Sequence, residues 1–291
     1  MDTDWQVRRK GETVTEILVN STRNAEWEQW ALVTADRHLD NPESDRRLQK
    51  RHLDLAVERN AFVIDIGDCF CLMQGKSDRR GQKSKVMEQH REDDYLGSII
   101  RDGVEFFRPY AKHLAMFSPG NHETAITKNI EFDPTRAFID RMSDIGSQVQ
   151  MGAYSGWVLV KFQAANRSSV RNDIYYTHGS GGGGPVTRGV IKTNRRQCKL
   201  GSVDIVLSGH VHEAWMVEIM QESVNHNGNV EISTVTHLQV PTYKDETRGR
   251  TGWAIEKEFP HKPQGAWWIR WFWDRGKGAA GGYDYEITRA K

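Results

Sequence analysis

Phe62-Val63-Ile64-Asp65-Ile66-Gly67-Asp68 runs apolar through β-branched and aromatic residues and then stops at a glycine and a carboxylate. The same grammar recurs along the chain. Ala31-Leu32-Val33-Thr34 precedes Asp36, Leu114-Ala115-Met116-Phe117 precedes Asn121, Ile174-Tyr175-Tyr176-Thr177 precedes His178, and Val203 to Leu207 precede His210. Short runs of this composition read as buried strands, so the polar residues that follow lie at strand C-terminal ends. Helical patterns fall between several of them. Ser44 or Asp45 caps a helix through about Asn60, with Leu48, His52, Leu55, Ala56 and Arg59 along or beside its inward stripe. Tyr95, Leu96, Ile99, Ile100, Val104 and Phe107 recur at three- and four-residue spacing. Asp133-Pro134 opens a third helix that buries Phe138, Ile139 and Met142. Strands alternating with helices predict an α/β fold, whose ligands gather in the crevice beyond the strand ends.

Composition sets the outer limits. The chain has 291 residues, 37% hydrophobic and 27% charged, enough for a sizeable core and against wholesale disorder. Lys+Arg 40 against Asp+Glu 39 leaves a net charge of +1, which argues against wrapping nucleic acid by bulk charge. The acidic start has no apolar region of a secretory signal, and no apolar run reaches the roughly 18 residues of a membrane span. Cys69, Cys71 and Cys198 are too few for a disulfide framework, so a reducing cytoplasm is the expected location, with no membrane partner.

The expected organisation is an N-terminal arm over 1–24, a single domain over 25–273 and a loose tail over 274–291. Within the domain, 69–113 reads as an insertion beside the crevice, basic from Lys76 to Lys85, and 225–273 as aromatic C-terminal strands. Trp267, Ile269, Trp271 and Trp273 alternate with Trp268 and Phe272, as on a strand buried on both faces.

Asp36, His38, Asp68, Asn121, His178, His210 and His212 all fall at strand ends. Imidazole nitrogen and carboxylate oxygen suit divalent transition ions. Seven donors exceed the needs of one ion and fit two, about 3.5 to 4 Å apart with a shared carboxylate. In Asp36-x-His38 and His210-x-His212, extended backbone would put both donors of each pair on one side.

Five blocks in order, Asp36-Arg37-His38, Gly67-Asp68, Gly120-Asn121-His122-Glu123, His178-Gly179 and Gly209-His210-Val211-His212, resemble the calcineurin-like metallophosphoesterases. The resemblance implies a four-layer α/β/β/α sandwich with two mixed sheets and a two-metal hydrolase of phosphate esters. It assigns one metal to Asp36, His38 and His212, the other to Asn121, His178 and His210, and makes Asp68 the bridge. His122 takes the place of the proton donor, with Glu123 orienting it, while a metal-bridged hydroxide attacks phosphorus. Manganese is the expected ion, with iron, zinc or nickel as alternatives. Cys69-Phe70-Cys71-Leu72 stands where protein phosphatases of that family carry aspartate-arginine-glycine, so a phosphodiester, nucleic acid or nucleotide, is the expected substrate. A phosphomonoesterase and a non-catalytic binding module are the alternatives. Arg37 and Arg188 are the expected substrate contacts. Pro241 to Glu246, Gly252-Trp253 and Gly265 to Trp268 are similar to phage-type members, which would place the protein in a host cytoplasm.

Overall fold

The computed structural model describes residues 3–73, 85–164, 169–184, 186–247, 253–277 and 281–291. The chain begins β1 (Trp5–Gly11), β2 (Val14–Asn20), β3 (Glu28–Thr34), α1 (Arg46–Glu58), β4 (Phe62–Asp65), α2 (Tyr95–Phe107) and β5 (Leu114–Phe117). It continues through α3 (Asn121–Ile130), α4 (Pro134–Asp144), β6 (Gln150–Met151), β7 (Ser155–Gln163), β8 (Ser169–Thr177), α5 (Lys192–Gln197) and β9 (Ile205–Ser208). The last elements are β10 (Trp215–Val224), β11 (Val230–Gln239), α6 (Trp253–Glu256), β12 (Ala266–Asp274) and β13 (Gly282–Ala290).

These strands make an α/β sandwich of two mixed sheets. One has seven strands in the order β1-β2-β7-β8-β9-β11-β10, the other six in the order β13-β12-β3-β4-β5-β6. Between them lies an apolar layer that includes Ile17, Val33, Phe62, Ile64, Val160, Ile174, Leu207 and Trp271. A second layer, with Leu53, Ile99, Phe107, Phe117 and Phe138, joins the outer face of the six-stranded sheet to α1, α2 and α4. The outer face of the seven-stranded sheet carries a thinner apolar patch, Tyr175, Val203, Val206 and Val235. Its helical cover is α5, six residues long, which reaches the sheet through Gln197 and His237.

Helix starts follow their sequence signals. Asp45 caps α1 by accepting from the Leu48 N–H at 2.9 Å, and Asp133 does the same for Arg136 ahead of Pro134. In β12, Trp267, Ile269, Trp271 and Trp273 face the inter-sheet layer while Trp268 joins the helix-side core.

Three segments differ from expectation. Residues 5–20 are no arm: β2 pairs with β7 in parallel, and Trp5, Ile17 and Val19 are buried. Residues 282–290 are no loose tail: β13 pairs with β12 along its full length, with Tyr283 and Ala290 buried. Each segment reaches a sheet edge, β1 in one sheet and β13 in the other, where positions that face water dilute the hydrophobic signal. Nor is 69–113 merely an insertion, because Phe70, Ile99, Val104 and Phe107 belong to the helix-side core. Lys76, Arg79, Arg80 and Lys83 lie outside the described residues. Lys85 is paired with Glu43. Among the described residues, no helix is long and apolar enough to cross a membrane.

Strand direction positions the site. β3, β4 and β5 run parallel in one sheet, and β8, β9 and β11 run parallel in the other. All the donor-bearing loops therefore leave the C-terminal ends of parallel strands.

Candidate metal centre

The structure brings all seven expected donors to one rim. Asp36 Oδ1 lies 3.3 Å from His212 Nε2 and 4.0 Å from His38 Nε2, and the two imidazoles approach to 3.4 Å. Beside them, Asn121 Oδ1 lies 2.6 Å from His210 Nδ1 and 3.1 Å from His178 Nε2, which is 3.2 Å from Asp68 Oδ2. Asp36, His38, Asp68 and His178 are buried. Asp36-His38-His212 and Asp68-His178-His210 each place three donor atoms within 4.8 Å of one another.

Backbone strain marks the same residues. Asp36, His38, Asp68, His210 and His212 all adopt left-handed φ, from +46° to +74°. Such a conformation is sparsely populated by residues with a Cβ and costs on the order of 1 kcal/mol each, so the surroundings must hold it. Asp-x-His therefore presents both donors on one side by alternating backbone handedness, not through the extended geometry read from the sequence.

What holds the loops is a set of buried acceptors. Asp36 N–H donates to Gly67 O and His38 N–H to Asp68 O, stitching the loop after β3 to the loop after β4. Glu123 accepts from the backbone N–H groups of Asp68, Phe70 and Gly120 at 3.2, 2.9 and 2.8 Å. Asp40, which the sequence reading passed over, accepts from Cys71 and Leu72 N–H. From β11 onward, Thr242 Oγ1 and Tyr243 N–H both donate to Asp36 O. Asp40 continues the two-residue spacing after His38, the one sign of it the sequence carried.

The donor set fits divalent cations. His178 Nδ1 faces Ile66 O at 3.1 Å, so that nitrogen carries the proton and Nε2 turns a lone pair toward Asp68 and Asn121 oxygens. Asp36 Oδ1 is buried without a hydrogen-bond partner. Acceptors facing acceptors repel unless a cation or a proton lies between them. With protons alone, burial disfavours the imidazolium of His178, yet Asp68 outweighs it and pushes that group up to about 10. Burial, with His122 and Lys244 adding to it, holds His38 well below the usual imidazole range, leaving it a neutral donor. Burial would raise Asp68, but His178 and His122 hold its carboxyl well below the usual range.

His122 sits in the first turn of α3. Its N–H donates to Asp68 Oδ1 at 2.9 Å, its Nδ1 faces Cys71 O at 2.5 Å, and its Nε2 is 3.8 Å from Asp68 Oδ2. The protonated Nδ1 directs Nε2 to the cleft, which His122 lines. Glu123 does not orient this histidine. Its carboxylate is taken up by the three backbone donors above, and burial followed by Asp68 pushes its pKa well above the carboxylate range.

Arg37 is no substrate contact. It is 0% exposed, donates from Nε to Asp65 Oδ2 at 2.7 Å and from Nη1 to Gln49 Oε1, and lies against the rings of Phe107 and Tyr243. The turn that sends Asp36 and His38 to the cleft sends the residue between them into the core. Arg188 is exposed, with its main chain tied to Gly184 and Trp215, and is not among the cleft-lining residues. Gly181, Gly182 and Gly183 do line it. Cys69 and Cys71 are buried thiols, and burial pushes Cys71 up to about 12. The remaining lining residues are ones the sequence reading did not assign, among them Lys244, Glu246, Phe259 and Lys262.

Gly120 shows how tight the packing is. A Cβ built there would fall 2.0 Å from Asp68 Oδ1 and 2.4 Å from Asp68 N. Gly120→Ala is expected to displace Asp68 and weaken manganese binding by about 10-fold or more with the far-ultraviolet dichroism unchanged. Wild-type manganese affinity in the variant would show that Asp68 tolerates the shift.

The sequence matches no protein-family model and no curated protein. The solved structures similar to this chain include the following three. A calcineurin-like phosphoesterase, YfkN from Bacillus subtilis, is 12% identical at a TM-score of 0.41, over 90% of this chain and 91% of that one. GAP50, the anchor in the inner membrane complex of Plasmodium, is 10% identical at 0.41, over 91% and 85%. Vps29 from Chaetomium thermophilum is 9% identical at 0.31, over 89% and 95%. None of these similarities assigns a function, so the reading below rests on the site.

Proposed function

We propose that this protein is a metal-dependent phosphoric ester hydrolase acting on a phosphodiester, a nucleic acid or a nucleotide. Asp36, His38 and His212 would hold one divalent ion, Asn121, His178 and His210 a second, with Asp68 shared between them. Bound there, two cations supply an activated water near neutral pH and neutralise charge that builds on the phosphoryl oxygens. The chain's own residues do the rest. Asp40 and Glu123 fix the backbone that carries Asp68, and His122 holds a proton at Nε2 for the departing oxygen. The observation that carries this reading is the convergence of Asp36, Asp68, Asn121 and four imidazoles on one rim, a donor set that suits divalent cations.

The cleft wall supports a diester. Lys244 and Lys262 each already hold a carboxylate, Glu246 at 2.8 Å and Glu213 at 2.6 Å, so the wall suits a singly charged phosphate. Val211, Ala254, Phe259 and Pro260 give apolar surface for organic groups on either side of phosphorus. Purified protein reconstituted with manganese is expected to bind the ion and to hydrolyse bis-p-nitrophenyl phosphate. Turnover of p-nitrophenyl phosphate alone would replace the diester with a monoester. Failure to bind manganese, iron, zinc or nickel would leave a binding module instead.

His122→Ala is expected to keep its metals and to slow esters with poor leaving groups by about 10² to 10⁴-fold, and activated aryl esters much less. Equal losses on both would remove His122 from the acid role.

A further inference from the structure

We infer that Lys244 is a substrate-binding residue, its ammonium group meeting a non-bridging phosphoryl oxygen beside the metal centre. The inference rests on the hydrolase reading above and adds to it a cationic contact carried by neither metal-ligand set. Three observations support it.

The first is position. Lys244 lines the same cleft as His38, Asp68, His122 and His212, although it comes from the segment that follows β11. The second is burial. Lys244 is 8% exposed, where a lysine without a task would extend into water. The third is rigidity. Its N–H donates to Thr242 Oγ1 at 2.9 Å, Thr242 Oγ1 and Tyr243 N–H donate to Asp36 O, and Lys244 forms a β-bridge with Ser44. The main chain that aims the ammonium is therefore tied to the main chain that aims a metal donor. A displacement of one is a displacement of both.

The facing groups complete the picture. Glu246 Oε1 accepts from Lys244 Nζ at 2.8 Å and is itself 29% exposed in its side chain. Burial disfavours the ammonium, but Cys71, Glu246 and Glu43 together outweigh it and hold the pKa above the usual lysine range. Burial works on Glu246 in the opposite sense, and Lys244 brings its carboxyl down to about 2. Lys244 thus stays charged, and Glu246 holds the ammonium in place while leaving it further donors. An arriving phosphoryl oxygen would share it with Glu246. Lys50, paired with Asp54 on α1 and not among the cleft-lining residues, bears the same charge and serves as the control for field effects.

The test titrates manganese-loaded protein with inorganic phosphate by calorimetry, alongside kinetics on bis-p-nitrophenyl phosphate. Lys244→Gln is expected to retain its manganese, to weaken phosphate about tenfold and to raise KM by a similar factor, the effect of losing one charge-assisted hydrogen bond. Glu246→Gln is expected to tighten phosphate, because it releases the ammonium. A merely structural ion pair would move both variants in the same direction. Lys50→Gln is expected to stay within about twofold of wild type, since an exposed charge away from the cleft is screened by solvent and salt. Unchanged phosphate affinity in Lys244→Gln, or an equal loss in Lys50→Gln, would overturn the inference and leave the hydrolase reading intact. Should Lys244→Gln fail to fold, Glu246→Gln decides, and phosphate binding no tighter than wild type overturns the inference. Wild-type protein that loads no metal and hydrolyses neither ester would instead overturn the hydrolase reading, and this inference with it.

Discussion

Asp68→Ala is expected to lose bound metal and to lower turnover by about 10³-fold or more, the two losses moving together. Asp68 is buried beside His178 and His122. One oxygen accepts from the His122 N–H at 2.9 Å, and the other faces His178 Nε2 at 3.2 Å and His122 Nε2 at 3.8 Å. Removing the carboxylate takes away the anion that neighbouring donors converge on and the acceptor that anchors the first turn of α3. Alanine is smaller than aspartate, so steric conflict is not the cause, and left-handed φ at position 68 is strained for either residue. Metal content by mass spectrometry, measured beside the rate on bis-p-nitrophenyl phosphate, decides the matter. A variant that keeps two equivalents of metal and fails only in turnover would show that Asp68 is not a shared ligand.

The strand ends were legible because burial wrote them plainly. Phe62-Val63-Ile64 and Leu114 to Phe117 are buried on both faces, so every residue had to be apolar until the chain reached the rim. Where a strand lies at an edge the pattern thins. In β1, Trp5 and Val7 are buried and the residues that follow are exposed, which reads as an arm. In β13, Tyr283, Tyr285 and Ile287 pack against the inter-sheet core, but the glycines before them read as a loose end. The convergence of the donor residues was equally legible, since carboxylate oxygen and imidazole nitrogen at successive strand ends suit the same ions. Their supports were not. Asp40, Gln49 and Thr242 act through hydrogen bonds to backbone or to a buried arginine. Nothing in residue type separates such groups from capping or surface residues. Lys244 was hidden for a different reason: it reaches the cleft only through tertiary folding, two residues past Thr242, which lies 206 positions from the Asp36 it bonds.

Arg37 is where residue type misleads most, and Arg37→Ala tests the structural role its burial assigns. As a substrate contact it would raise KM and leave stability alone. As the partner of Asp65 it should cost about 3 to 5 kcal/mol, because its loss leaves a buried carboxylate uncompensated. At roughly 2 to 4 °C per kcal/mol for a domain of this size, the melting temperature should fall by about 10 °C. Asp65 also accepts from Thr34 Oγ1 and Gly67 N–H, so its disturbance passes to the loop that carries Asp68. The pH dependence carries the sign. Burial already raises Asp65 above the usual carboxylate value, against the pull of Arg37. Without that pull its folded pKa rises further, so the folded state takes up a proton more readily than the unfolded chain. Relative to wild type, the variant should therefore recover stability as pH falls through that raised value toward the unfolded value of about 4. Differential scanning calorimetry of both proteins across that window reads the effect directly. An unchanged melting temperature at neutral pH, accompanied by a higher KM, would return Arg37 to the substrate.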